Sequence, residues 1–145
     1  MEVLMDHVVY LDASAQELAN LIAGKKTMII RGAAGRKMPY GRVNAGDTLY
    51  FLNNDAEGLI RAQAKVKSVL DSEPLTKEES IKLIEKHQAQ LQLTDKQLKR
   101  WGGKRYLVLI QVEQVKQAKA FRVDKSNYGN MDDWLPVGNI NDVEL

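Results

Sequence analysis

Gly24-Lys25-Lys26-Thr27-Met28-Ile29-Ile30-Arg31 is the stretch from which the fold is read. A glycine is followed two residues on by a lysine and then, five further, by an arginine at the end of an apolar run. Upstream, Ser14-Ala15-Gln16-Glu17 has the S-x-x-E spacing of a capping box, in which side chains satisfy the first free helix amides. Ala15, Leu18, Ala19 and Ile22 recur at i, i+3, i+4 and i+7, and Gly24 supplies the left-handed stop. The pattern predicts a helix over 14–23 and a strand over Thr27–Arg31. On that strand Thr27, Ile29 and Arg31 share one face and Met28 and Ile30 the other. Thr27 and Arg31 are expected to line a cleft, Met28 and Ile30 to fill the core.

Working outward, Asp6–Leu11 is a short β-branched run and reads as a strand. Residues 32–46 hold four glycines and Pro39 and read as a long irregular connection into a strand at Thr48–Leu52. Leu59–Leu70 alternates with period 2, Ile60, Ala62, Ala64 and Val66 against Arg61, Gln63, Lys65 and Lys67. Thr76-x-x-Glu79 and Thr94-x-x-Gln97 are capping boxes that predict helices near 77–90 and 95–101, with Ile81, Ile84 and Leu91 turned inward. Tyr106–Val115 is apolar on both faces at first and reads as a central strand. After Phe121 the pattern weakens into a turn-rich, acidic segment. The order β-α-β-β-β-α-α-β lacks the alternation of a doubly wound sheet. It predicts an α+β chain, mainly β: a small, mostly antiparallel barrel with helices packed on its outside. One domain is expected over 1–145, its core at about 6–115 and a C-terminal extension at 116–145 packed on or closing the barrel.

The chain has 145 residues and 16.3 kDa, the size of a single typical domain. With 44% hydrophobic and 28% charged residues it is neither disordered nor collagen-like. It has no cysteine, which excludes disulfides, a thiol nucleophile and thiolate-held metals. The N-terminus carries Glu2 and Asp6 where a signal peptide is basic and then apolar. The longest purely apolar run, Tyr106–Ile110, is far short of the roughly 20 residues that span a bilayer. A cytoplasmic protein with no membrane partner is expected.

The net charge of +2 conceals a division. From Leu18 to Gly46 there is no acid, and Lys25, Lys26, Arg31, Arg36, Lys37 and Arg42 give +6. Lys96, Lys99, Arg100, Lys104 and Arg105 add +5 in a second acid-free block, leaving −9 for the remainder. Clustered cations attract polyanions. Tyr40 and Trp101 lie among them, as suits a stacked base, and the Arg61/Lys65/Lys67 stripe is a candidate to join the same surface, or is simply a solvated strand face.

Several motifs fail. Gly24-Lys25-Lys26-Thr27 lacks the earlier glycine of a P-loop, Ala19 standing there, and follows a helix where a P-loop follows a strand. Gly32-Ala33-Ala34-Gly35 has the spacing of a KH clamp without its helices. His7 and His87, the only histidines, have no metal-ligand spacing and no serine partner; His7 reads as structural and His87 as a surface residue. Asp132-Asp133 is the remaining pair that could hold a cation, though adjacent acids in an acidic loop read as solvated, and no metal or cofactor is expected.

The G-x-K-x-x-x-x-R spacing holds. Placed after a short helix and before a glycine-rich loop, it resembles the activating signal cointegrator homology (ASCH) domain, a β-barrel family related to the RNA-binding PUA fold. Gly46-Asp47 before a strand, the inserted helices and the apolar strand at Tyr106–Val115 agree with that resemblance, which spans roughly residues 6–115. It implies an anion-friendly cleft for RNA or a nucleotide-like ligand. The residues assigned to it are Gly24, Lys26, Thr27, Arg31, Arg36, Lys37, Arg42, Arg100 and Lys104. Lys26 offers a point charge and Arg31 a planar fork.

Some small members of the family look like amidohydrolases acting on acetylated cytidine through a lysine, a threonine and a glutamate. The matching lysine is Lys26. The threonine position is Ile29, which can neither attack a carbonyl nor carry a proton. Thr27 is the stand-in, about 6–7 Å away along the strand. A lysine beside Arg31 would have a lowered pKa, and Glu78, Glu79 and Glu85 remain equal candidates for the acid. An adaptor role for the aromatic segment Tyr128–Trp134 is a third reading.

Overall fold

The computed structural model describes residues 3–128 and 133–145. Its strands are β1 (Asp6–Leu11), β2 (Met28–Ala33), β3 (Thr48–Asn53), β4 (Ile60–Asp71), β5 (Tyr106–Phe121) and β6 (Trp134–Gly138). The helices are α1 (Glu17–Ile22), α2 (Lys77–Lys86), α3 (Gln88–Leu91) and α4 (Asp95–Trp101), with a 3₁₀ turn at Ile140–Asp142. One six-stranded sheet runs in the order β2-β5-β4-β3-β1-β6. Every pairing is antiparallel except β1 with β3. The β4–β5 ladder, the longest, slips register at three places. Such bulges bend a strand and increase its twist. The sheet curls into a half-barrel whose two edges are β2 and β6.

Period-2 alternation fixes which residues fill it. Ile29 faces the interior with Val9, Leu49, Phe51, Ala62, Val66, Ile110 and Trp134. Met28 and Ile30 face outward, against Leu107, Leu109 and the helical layer residues Ile84, Leu91 and Trp101. A third cluster, Val8, Leu52, Ile60, Val123, Leu135 and Ile140, closes the β1–β6 end. On β4 the alternation read from the sequence is observed, with Ala62, Ala64 and Val66 buried and Arg61, Lys65 and Lys67 exposed. β5 lies between β2 and β4 as expected for a central strand, and extends to Phe121. No helix among the described residues is long and apolar enough to cross a membrane.

Some local expectations change. The predicted helix over 14–23 begins only at Glu17, after a left-handed Gln16 (φ 55°). Ser14 Oγ donates to Asp12 Oδ1 at 2.6 Å, and Glu17 Oε1 accepts the Asp12 N–H at 3.0 Å, so no Ser14–Glu17 capping box forms. The helix predicted over 77–90 breaks at His87 into α2 and α3, whereas both threonine capping boxes form as read. Ile84 and Leu91 are buried but Ile81 is exposed. β6, short and interrupted by Pro136, has no signal strong enough to stand out in the sequence. It pairs with β1 and places Trp134 in the interior, so that ring is no anchor for a partner protein.

Trp134 is held there by a polar relay. Its Nε1–H donates to His7 Nδ1 at 3.0 Å, and His7 Nε2 lies 2.9 Å from Asp47 Oδ2. An indole can only donate, so Nδ1 carries the lone pair and His7 is the neutral Nε2–H tautomer. Asp47 also accepts the Met5 and Asn44 N–H groups. Burial pushes the His7 pKa below 6.5, against the pull of Asp47 and Asp6. The unfolded chain therefore binds more protons as pH falls below about 6.5, and stability falls with it, by up to about 1.4 kcal/mol per pH unit down to the folded pKa. Urea titrations between pH 7 and 5 are expected to show this loss, and a His7→Gln variant a shallower one. Trp134→Phe, which leaves Nδ1 unpaired, is expected to cost about 1–3 kcal/mol at pH 7.

Candidate functional site

The half-barrel has a seam where its edges approach, and the G-x-K-x-x-x-x-R residues lie along it. Gly24, at φ +76°, turns the chain out of α1 so that Lys26 points back inward. The Lys26 side chain is 1% exposed. Its ammonium donates to Leu91 O at 2.5 Å and lies 3.3 Å from Glu17 Oε2. Burial drives its pKa below the ordinary lysine value; Glu17 pulls it back up and Arg31 pushes it further down. The depression expected from Arg31 is present, with desolvation as its larger cause.

Arg31, at the end of β2, crosses the seam. Nη2 donates to Tyr10 O on β1 at 2.7 Å and Nη1 to Ile30 O at 2.8 Å. Nε lies 3.2 Å from Oδ2 of Asp133, the residue before β6. Its Cζ is 6.0 Å from the Trp101 ring centre and 5.6 Å from that of Trp134.

Two hollows meet at this arginine. The inner one, about 150 Å³, is lined by Tyr10, Asp12, Glu17, Asn54 and Gln97, among others. The outer one, about 230 Å³, is lined by Gly32, Lys37, Met38 and Lys104. Arg31, Arg100, Trp101 and Asp133 line both. At the inner end burial pushes the Asp12 carboxyl up, but hydrogen bonds from Ser14 and Ala15 outweigh it and hold the pKa below the usual value. The cleft is thus acidic within and basic at its mouth. Gly32 lets the backbone floor approach β5, where an added Cβ would meet Leu107 Cδ2 at 2.8 Å.

Of the residues named from sequence, Arg31, Lys37, Arg100 and Lys104 come together on the cleft. Lys26 lines neither hollow, but its partner Glu17 lines the inner one. Thr27 is half-buried and lines neither hollow; its N–H donates to Gln90 O and its carbonyl accepts from Val112 N. Gly24 and Arg42 are exposed and outside both hollows, and Arg36 covers Tyr40 and Tyr106 at 5.6 and 5.7 Å. Trp101 is buried between Arg31 and Arg100, the latter 4.3 Å from its centre. Arg61 pairs with Glu57 and Lys65 with Thr48 Oγ1; neither joins the cleft. Glu78, Glu79 and Glu85 are exposed on α2, and Glu17 is the glutamate beside Lys26. Its signal was present in the S-x-x-E motif but read as a cap. Asp12 and Asn54 carry no local signal, and Asp133 only that of an acidic pair in a loop. Asp132 lies outside the described residues, among which no cluster of potential metal ligands occurs.

Solved structures with the same architecture exist. Crystal structures of the ASCH protein of Zymomonas mobilis superpose with a TM-score of 0.68 at 12% identity, covering 92% of this chain and 87% of that one. Two single-residue variants of that protein give TM-scores of 0.70 and 0.71 at 11% identity. They cover 95% and 98% of this chain and 94% of theirs. No protein-family model and no curated sequence matches the chain. The fold is therefore that of the ASCH domain.

Removing one member of a buried ion pair strands the other charge. Glu17→Gln is expected to lose about 3–5 kcal/mol in chemical denaturation, and the paired replacement Glu17→Leu with Lys26→Met to recover most of it. Equal losses in the single and paired variants would show that the pair does not set stability.

Proposed function

We propose that the chain, as one ASCH-like domain over 1–145, binds RNA or a nucleotide-like ligand in the cytoplasm, along the seam cleft. The observation that carries this reading is the continuity of the two hollows through Arg31, Arg100 and Trp101, out to Lys37 and Lys104. An inner space of about 150 Å³ is the size that holds one aromatic ring. The basic mouth beyond it suits the phosphates that flank a base. The ASCH fold of the chain supports the same reading.

Arg100→Ala with Lys104→Ala removes two exposed cations at the mouth and leaves the barrel core intact. Fluorescence anisotropy with a short single-stranded RNA is expected to show weaker binding. The slope of log K against log salt is expected to become shallower by about 0.7 per lost phosphate contact. Binding that is insensitive to salt, or unchanged in the double variant, would overturn the proposal.

Hydrolysis of an amide on an acylated nucleoside has one supporting observation: Lys26, whose pKa burial lowers, is paired with Glu17, which does reach the inner hollow. Ile29 lies in the core and Thr27 off the cleft, so neither the position of the family threonine nor its stand-in lies beside the pair. A panel of acylated cytidines followed by chromatography is expected to show no turnover; turnover lost in Lys26→Met would establish the enzyme.

A further inference from the structure

Among the described residues, the outer hollow concentrates Arg31, Lys37, Arg100 and Lys104 around a single acid, Asp133. Arg31 itself is more than nine-tenths buried, and among the described residues its Nε makes no aligned hydrogen bond although the rest of the guanidinium is anchored to Tyr10 O and Ile30 O. Asp133 Oδ2 lies 3.2 Å from it. An arginine desolvated to this degree, with one N–H left over, calls for an anion at that atom. Asp133 fills the position imperfectly. Its side chain is 43% exposed, and its backbone is tied to Tyr10 by the Tyr10 N–H to Asp133 O hydrogen bond, so its carboxylate can turn toward water without moving β6.

We infer that the outer hollow is a phosphate subsite and that Asp133 is its resident counter-ion, which an incoming phosphate displaces from Arg31. This rests on the reading of the cleft as a nucleotide site and names where the ligand's phosphate sits. Arg31 offers Nε from the floor, while Arg100 and Lys104 approach from the rim. With Asp133 in place the described lining carries four cations against one acid, so a dianion is attracted but first competes with a carboxylate already present. Asp133 thereby sets a selectivity. A weakly charged ligand gains too little from Arg31 to displace it, whereas a phosphate, with more charge and more acceptor oxygens, gains enough.

The test uses the full chain and inorganic phosphate at low ionic strength, followed by amide chemical-shift changes and calorimetry. Asp133→Asn is nearly isosteric and removes the competing charge. It is expected to bind phosphate on the order of tenfold more tightly than wild type. Lys104→Ala, whose side chain is exposed, is expected to bind several-fold more weakly, and Lys67→Ala, on the outer face of β4, to match wild type. Phosphate bound no more tightly by Asp133→Asn than by wild type would overturn the inference, as would shift changes centred away from Arg31 and Lys104. A parallel titration with single-stranded RNA separates the two proposals. Phosphate behaviour as described with no RNA binding leaves the subsite standing and removes the RNA reading, and salt-sensitive RNA binding that Asp133→Asn leaves unchanged does the reverse.

Discussion

A sheet that stops short of closing leaves two edges of unpaired backbone groups, and Arg31 is the residue that spans them. It stands on β2, one edge, and reaches Tyr10 O on β1 and Asp133 just before β6, the other edge. Backbone ladders do not bridge that gap, because among the described residues β2 has no strand partner on its far side. A long, planar cation with several fixed donors can. The Lys26–Glu17 pair performs a parallel task one turn of chain earlier, joining the segment before β2 to α1, and its bond to Leu91 O pins α3 to the same place. The cleft is the unfilled remainder of this seam. Its position follows from where the barrel fails to close.

Burying two cations is expensive, and the manner of compensation separates them. Lys26 is satisfied within the protein, by a carboxylate and a carbonyl, and its lowered pKa reflects desolvation more than any neighbour. Arg31 is satisfied by carbonyls at its tip but only by a half-exposed acid at Nε. One is structural in the strict sense that nothing from solvent can replace its partners. The other keeps a partner that solvent-borne anions can replace.

Much of the fold was legible because its signals are local. Alternation along 60–66 needed only the pleat, and the two threonine capping boxes needed only four consecutive residues each. The misreadings share a cause. Ser14-x-x-Glu17 has capping spacing, yet Glu17 is drawn to a lysine nine residues on because a buried ammonium gains more from a carboxylate than one helix amide does. β6 needed β1 to become a strand, and the Trp134–His7 bond that fixes it joins residues 127 apart in sequence. The site was half legible for the same reason: the basic blocks were contiguous and could be counted, whereas Asp12, Asn54 and Asp133 reach the cleft from separate segments.

The acid-free blocks also hold more cations than act together. Of the six cations between Leu18 and Gly46, Arg31 and Lys37 line the cleft, Lys26 is neutralised by Glu17, and Lys25, Arg36 and Arg42 lie elsewhere on the surface. The two acid-free blocks nonetheless converge, since the rim comes from Arg100 and Lys104 and the floor from β2. The acidic remainder of the chain contributes Asp12 and Asp133 to the same place. A cleft built only of cations would hold any polyanion at its surface and orient none of them. Asp12 and Glu17 lie at one end only and Lys37 and Lys104 at the other, so that a ligand with an anionic end and a hydrogen-bond-donating end has one favourable way to lie.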